Sequence, residues 1–158
     1  MKILHVLSGD FLTGAETSTA LLIEYQLKRG HRVFVIAGHF TPQTKATVCS
    51  VPIFKRNWIQ RLKNVYQVVK FIKNEKIDIV HAHSRAASWV CFWATQLTQV
   101  AYLSSIHGRQ HIHYSFSNFN VYGTNCIAVC ENIKDQLLKF TKYYKKEHVF
   151  VIRNGIKI

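Results

Sequence analysis

Acidic residues are scarce in this sequence, and their scarcity constrains its partners. Lysine and arginine number 21 against 8 aspartate and glutamate residues, which gives a formal net charge of +13 with histidine neutral. Such an excess of basic residues gives information about binding partners and not about the fold. Nucleic acid, an anionic membrane surface or a phosphorylated substrate would each complement it.

Long apolar runs, proline and cysteine are also scarce. No apolar stretch approaches the roughly 20 residues of a membrane-spanning helix. The opening run MKILHVLSG is too short for a signal peptide and lacks a small-residue cleavage site, so we expect a cytoplasmic protein. Only two prolines in a chain that is 48% apolar favour a folded domain. The four cysteines show no framework spacing, and we expect them to be reduced.

Strand-like apolar runs alternate with helix-like segments along the whole chain. The predicted strands lie within residues 2–7, 32–38, 77–83, 100–108, 125–130 and 148–152. Nearly continuous apolar strands are typical of a parallel sheet that is buried on both faces. The pattern predicts a Rossmann-like, doubly wound α/β sheet over residues 1–152 with helices on both faces.

Ligands of open α/β sheets bind beyond the carboxyl ends of the strands. This rule selects four loops, at residues 8–14, 38–44, 82–85 and 106–113. The first, SGDFLTGAE, precedes a helix whose first amide groups, near Gly14 and Ala15, can bind a phosphate. The loop has neither GxGxxG nor GxxxxGK[ST], so a plain glycine turn remains an equal interpretation.

Histidines cluster in two of these loops. HAHSR (81–85) ends a strand and opens a helix with Ser84 as a candidate N-cap, and His107 follows the next strand. Histidine at a strand end suits proton transfer or anion contact. For His107 a loop residue without a role is the open alternative. No carboxylate or cysteine accompanies the histidines at ligand spacing, so we predict no metal site, and we expect His81 to be a satisfied core histidine.

Five stretches together resemble a known family. TGAET, DIVHAHSRAASW, LSSIHG, IAVCENIKDQLL and the terminal VIRNGI occur in an order and spacing similar to the amino-terminal domain of family 4 (group 1) retaining glycosyltransferases of the GT-B fold. The similarity covers essentially the whole chain. The SRAASW and HG stretches resemble members that act on lipopolysaccharide core sugars.

The resemblance implies an activity and a set of site residues. A sugar would pass with retention from a nucleotide-sugar donor to a glycolipid or oligosaccharide acceptor. The departing phosphate would take up the acceptor proton, so neither metal nor cofactor is implied. His107 matches the catalytic histidine near the transferred sugar. The other matching residues are Thr13, Gly14 and Ala15 at the donor phosphate, with Thr13 in place of a usual glycine, and His83, Arg85, Gly108 and Arg109 on the acceptor side.

The resemblance also implies a missing half. RNGI (153–156) resembles the family's junction with a second domain, and residues 153–158 would begin that linker. The family's donor-binding glutamate motif belongs to that second domain. We therefore expect this chain alone to be inactive, as a fragment or as the product of a shortened gene.

A basic helix face suggests a membrane surface. Arg56, Lys63 and Lys70 recur every seven residues, away from Leu62 and Val65 of the same segment. With Phe54 and Trp58 nearby, this pattern favours docking on anionic lipid at the inner face of the plasma membrane over a merely solvated helix face.

Two other classes of protein remain as alternatives. A basic nucleic-acid-binding module would explain the charge, but the aromatic residues lie in apolar helix stripes and not among basic residues on a strand platform, so we expect no nucleic-acid partner. An NAD-dependent oxidoreductase ranks last, because the glycine fingerprint and an acidic residue after the second strand are both absent.

Overall fold

A single parallel β-sheet organises the computed structural model, which describes residues 1–9, 14–55, 57–108, 121–140 and 144–155. Thr13, Arg56 and Arg109, which the sequence singles out, lie outside the described residues. In the described part the strands are β1 (Lys2–Val6), β2 (Arg32–Ala37), β3 (Thr47–Ser50), β4 (Ile79–Ala82), β5 (Ala101–Ile106), β6 (Cys126–Ala128) and β7 (Val149–Val151).

The seven strands pair in the order β3-β2-β1-β4-β5-β6-β7, and every pair is parallel. This arrangement confirms the predicted Rossmann-like sheet. The order changes direction between β1 and β4, which pair with each other although two strands separate them in the chain. Such a reversal is where a doubly wound sheet opens a crevice for ligands.

Four α-helices connect the strands within the described residues. They are α1 (Gly14–Lys28), α2 (Trp58–Glu75), α3 (Arg85–Thr98) and α4 (Glu131–Phe140). The Asn57 side chain caps α2 by accepting a hydrogen bond from the Ile59 amide at 2.9 Å. Ser84 caps α3 as predicted, since its Oγ accepts from the Ala87 amide at 3.1 Å.

The core lies on both faces of the sheet, because successive residues of a strand point to opposite sides. Phe34 and Ile36 of β2 belong to a buried cluster with α2 and α3. Val33 and Val35 of the same strand pack instead with Ile23 of α1. A third cluster joins β5, β6 and β7 to α4. Helices on both faces, as predicted, follow from this alternation.

Among the described strands, the edge strand β3 is the one that the sequence pattern missed. Its residues, TVCS, are mostly exposed, so they do not form an apolar run. The strand is defined by its pairing with β2, in which Val48 lies opposite Val35. An edge strand with one partner needs no such run, and periodicity alone could not find it.

Helical spacing in the sequence predicts that Leu62 of α2 and Leu97 of α3 lie on apolar stripes that face the core, and this prediction is wrong. Leu62 of α2 is 50% exposed and Leu97 of α3 is 65% exposed. The buried positions are Val65 and Val68 on α2, and small residues such as Ala94 on α3. Several large apolar side chains of α2 and α3 therefore remain on the outer surface.

Candidate functional site

A cleft of about 500 Å³ opens at the carboxyl ends of β1, β4 and β5. It is bordered by the loops that follow these strands and by the first residues of α1 and α3. This is the position that the change of strand order between β1 and β4 creates.

The start of α1 forms one wall of the cleft. Gly14 and Ala15 line it, and a side chain added at Gly14 would meet no atom within 4 Å. The first amide groups of a helix have no partner within the helix and favour a bound anion. Glu16, a buried acidic residue of the same turn, also lines the cleft, so the wall offers carboxylate oxygens as well as amides.

The start of the loop after β1, at residues 7–9, is held in place by backbone contacts. The Gly38 amide donates to Ser8 O at 3.3 Å, and the His39 amide donates to Gly9 O at 3.0 Å. Gly9 has a φ of +67°, and a Cβ there would lie 2.4 Å from His39 O. Only glycine fits this position, because both the backbone conformation and the available space exclude a side chain.

The start of α3 forms a second wall. Arg85 is its first residue, lines the cleft and is exposed at the surface. Two helix amino termini and one guanidinium therefore meet at one cleft, an arrangement that favours an anionic ligand.

His107 and Gly108 follow β5 and line the same cleft. The described residues that the sequence singled out for donor, acceptor and catalysis thus lie together: Gly14, Ala15, His83, Arg85, His107 and Gly108. Their roles stay predictions. Lys63 and Lys70 lie elsewhere, on exposed positions of α2.

A chain of histidine contacts runs beneath the cleft. His5 Nε2 lies 2.8 Å from Gln26 Oε1, and His5 Nδ1 lies 2.9 Å from His83 Nε2. His83 Nδ1 lies 3.4 Å from His107 Nε2 at the cleft wall. We call Gln26, His5, His83 and His107 the histidine chain.

His81 lies beside this chain on β4, in register with His5 of β1. It is buried, and its Nε2 lies 2.7 Å from Ser105 Oγ, which confirms the prediction of a satisfied core histidine. His5, His81 and His83 place one ligand atom each within 4.8 Å of one another, which is a grouping able to hold a metal ion.

Burial keeps these imidazoles neutral. Burial lowers the pKa of His5 to about 4, although the hydrogen bond to Gln26 partly opposes the shift. Burial, followed by the repulsion of neighbouring histidines, lowers the pKa of His81 and of His83 well below 6.5. Burial also lowers the pKa of His107.

Sequence reasoning missed five residues of this region. His5 and Gln26 complete the histidine chain, and the cleft lining also includes Glu16, Tyr122 and Asn154. A histidine inside an apolar strand was the available signal for His5. Asn154 lies in the RNG stretch that the resemblance had already marked.

A second unusual surface lies on α2 and α3. We call it the aromatic face; its members are Trp58, Ile59, Leu62 and Tyr66 of α2, and Trp89 and Trp93 of α3. The Trp58 and Trp89 rings are 6.1 Å apart, and the Arg61 guanidinium lies 5.1 Å from the centre of the Trp89 ring. None of the described helices has the length and apolar character to cross a bilayer.

Sheet order, helix placement and cleft position define an α/β domain of the Rossmann-like type with a cleft at its switch point. The chain belongs to Glycosyltransferase Family 4, whose family model matches residues 12–158. It is thus a glycosyltransferase domain of the GT-B type. No curated protein matches the chain in sequence.

Solved structures of glycosyltransferases share this fold. A glycosyltransferase from Rickettsia africae is 26% identical with a TM-score of 0.86, over 99% of this chain and 43% of that one. The lipopolysaccharide outer core galactosyltransferase WaaB is 16% identical with a TM-score of 0.74, over 100% of this chain and 47% of that one. Anabaena HepE, solved with UDP and glucose, is 19% identical with a TM-score of 0.77, over 99% and 45%. This chain spans less than half the length of each.

Proposed function

We propose that this chain is the amino-terminal, acceptor-side domain of a retaining glycosyltransferase. The complete enzyme transfers a sugar from a nucleotide-sugar donor to a glycolipid or lipopolysaccharide-type acceptor. The observation that carries the proposal is the convergence of two helix amino termini and His107 on one cleft at the switch point of the sheet.

Each wall of the cleft has a part in this scheme. The amides of Gly14 and Ala15, with Thr13 before them, receive the donor diphosphate. His107 contacts the reacting sugar, and Arg85, His83, Gly108 and Arg109 border the acceptor. The leaving phosphate takes up the acceptor proton, so the scheme requires no metal or cofactor. The UDP and glucose held by HepE support a nucleotide-sugar as donor.

The active enzyme in this proposal has two domains. Residues 1–152 form the acceptor-side domain, and residues 153–158 begin the connection to a second α/β domain that holds most of the donor. The share of the solved glycosyltransferases that this chain spans, 43 to 47%, supports this division. The isolated chain accordingly has no useful transfer rate.

Nucleotide binding to the isolated chain tests the proposal. UDP-glucose is expected to shift the backbone amide signals of Gly14 and Ala15, and Arg85→Gln is expected to weaken binding several-fold. Arg32→Gln, an exposed arginine at the amino end of β2, is the matched control and keeps wild-type affinity. Shifts spread over the surface without a preference for the cleft would contradict the proposal, as would rapid sugar transfer by the isolated chain.

The aromatic face supports a second part of the proposal, peripheral docking on the inner face of the plasma membrane. Trp58 is 63% exposed and Tyr66 is 67% exposed. Lys63 and Lys70 are exposed on the same helix and, at spacings of three and four residues, lie beside Tyr66. Aromatic rings next to lysine suit an interface of anionic lipid, which attracts each nearby cation by about 1 kcal/mol.

Vesicle sedimentation tests the docking. We expect the chain to sediment with vesicles that contain anionic phospholipid and to remain in solution with zwitterionic vesicles. Equal sedimentation with both, or with neither, at moderate salt would remove this part of the proposal. Binding to RNA or DNA of comparable salt dependence would instead favour the nucleic-acid alternative.

A further inference from the structure

The histidine chain is continuous from α1 to the cleft, and none of its buried members belongs to the scheme above as a reacting group. His5 is fully buried in the centre of the sheet, and His83 is 4% exposed. Buried polar groups at such positions carry a cost unless they are hydrogen-bonded. Every link of the chain is within hydrogen-bonding distance. The direction in which the rings donate these hydrogen bonds can therefore be worked out.

The direction follows from the chemistry of the neutral imidazole. A neutral ring carries one N–H and one lone pair, so a ring that donates at one nitrogen accepts at the other. Gln26 Oε1 can only accept, and it lies 2.8 Å from His5 Nε2. His5 therefore donates from Nε2 and accepts at Nδ1.

The same rule extends through the next two rings. His83 Nε2 lies 2.9 Å from His5 Nδ1, so it donates to it, and His83 Nδ1 is left as an acceptor. His107 Nε2 lies 3.4 Å from that nitrogen and donates in turn. His107 Nδ1 then carries a lone pair. It is buried, and no partner for it occurs among the described residues.

We infer that Gln26, His5 and His83 are positioning residues that hold His107 in the tautomer whose Nδ1 is a hydrogen-bond acceptor. At that nitrogen His107 accepts a hydrogen bond from a hydroxyl and does not donate one to a phosphate oxygen. Phosphate contacts then fall to the amides of α1 and to Arg85. The sugar-contacting role of His107 rests on the proposed function, whereas its tautomer does not.

A metal ion bound by His5, His81 and His83 is the competing account of the same rings. It requires a lone pair from each ring at the centre of the group. The 2.9 Å contact between His5 Nδ1 and His83 Nε2 is a normal hydrogen-bond length and contains a proton. Separations of up to 4.8 Å within the group are also wide for ligands of one ion at about 2.0–2.1 Å. The geometry therefore favours the hydrogen-bonded chain.

Nitrogen-15 NMR of the labelled chain at about pH 7.5 measures the tautomer directly, with His107→Gln used to assign the signals. We expect an unprotonated signal for His107 Nδ1 and a protonated one for Nε2, unchanged by inorganic phosphate. The opposite pattern, or protonation of Nδ1 when phosphate is added, would overturn the inference.

Substitution of Gln26 tests the positioning role. Gln26→Glu keeps an acceptor and is expected to keep the wild-type tautomer. Gln26→Leu removes it, and the His107 signals are expected to move towards an average of the two tautomers. Gln67→Leu, at an exposed glutamine of α2, is the control and leaves them unchanged. An unchanged tautomer in folded Gln26→Leu contradicts the inference; if that variant does not fold, the wild-type and Gln26→Glu spectra decide.

Cobalt(II) tests the metal account. We expect no visible absorption bands of bound cobalt when the ion is added to the wild-type chain. Bands that appear in the wild type and vanish in His5→Asn would identify a metal site and overturn the hydrogen-bonded chain. Failure of UDP-glucose to bind would leave both the tautomer and the cobalt results intact, so the two proposals fail separately.

Discussion

The histidine chain and the aromatic face depart from the usual distribution of side chains in opposite directions. The first places polar rings in the centre of the sheet, where His5 is fully buried. The second leaves large apolar rings in water, where Trp58 is 63% exposed. Folding alone would favour the reverse in both places, because apolar burial stabilises and polar burial costs free energy.

The two regions differ in how they offset this cost. Each buried ring of the histidine chain has a hydrogen-bonding partner within the protein. The aromatic face has ring contacts, such as Trp58 with Trp89, but these leave much of its surface exposed. The first region is therefore hydrogen-bonded internally except at His107 Nδ1, for which no partner occurs among the described residues, whereas the second leaves large apolar rings exposed to solvent.

The largest expected effect is a loss of folding stability in the buried region, caused by a substitution at Gly9 beside the cleft. Gly9→Ala places a Cβ 2.4 Å from His39 O in a left-handed backbone conformation. The strain and the overlap together should lower the free energy of unfolding by roughly 4 kcal/mol. Urea denaturation measures this loss.

Gly14→Ala is the matched control for Gly9→Ala. It lies in the same cleft, but its added Cβ meets no atom within 4 Å, so we expect a change within about 0.5 kcal/mol. Equal losses in the two variants would show that the backbone contacts of Gly9 do not hold the loop.

The second prediction concerns how the stability of the fold depends on pH through the buried His5. The unfolded chain protonates His5 near pH 6.5, whereas the folded chain does so only at about pH 4. Between these values the unfolded state binds more protons, so the free energy of unfolding falls as pH falls through this window. His5 alone should account for about 3 kcal/mol of the loss.

Urea denaturation of the wild type and of His5→Phe across this pH range measures that contribution. The variant should lose less stability than the wild type on acidification, whatever its stability at pH 7. His39→Gln, at an exposed position, should follow the wild type. Parallel curves for His5→Phe and the wild type would show that His5 does not stay neutral in the fold.

The fold was largely predictable because strands that are buried on both faces need nearly continuous runs of apolar residues, and such runs are visible in the sequence. Six of the seven described strands follow from such runs, and β3 does not because its edge position leaves Thr47 and Val48 exposed. The exposure of Leu62 and Leu97 could not be predicted from the sequence either. Helical spacing shows that residues share a stripe, but it cannot say whether that stripe meets the sheet or an external partner.

The candidate site was predictable in position and less so in its hydrogen bonding. Loops after parallel strands meet at one edge, which brings His83, Arg85 and His107 together. The partnership of His5 with Gln26 depends instead on how α1 lies across β1. Such a contact between residues 21 positions apart has no periodic signal in the sequence.

The third prediction breaks the exposed side of the comparison. Trp58→Ala combined with Tyr66→Ala removes two exposed rings from the aromatic face. We expect a loss of about 2 kcal/mol in binding to anionic vesicles, or about 30-fold, with little change in stability. Tyr25→Ala, an exposed tyrosine of α1 on the opposite face of the sheet, is the control and should bind like the wild type. A double variant that sediments normally would exclude the aromatic face as the docking surface.

The smallest expected effect separates charge from apolar contact on the same face. Lys63→Ala should weaken binding to anionic vesicles by about 1 kcal/mol, or about fivefold, because one cation near the lipid surface is lost. The difference from the wild type should shrink as salt is added, since screening weakens the attraction between charges in water. Lys28→Ala removes an exposed lysine of α1, where it forms a 2.8 Å pair with Glu24, and serves as the matched control. If Lys63→Ala and Lys28→Ala lose affinity equally, the attraction belongs to the net charge of the whole chain, and the aromatic face contributes only its apolar rings.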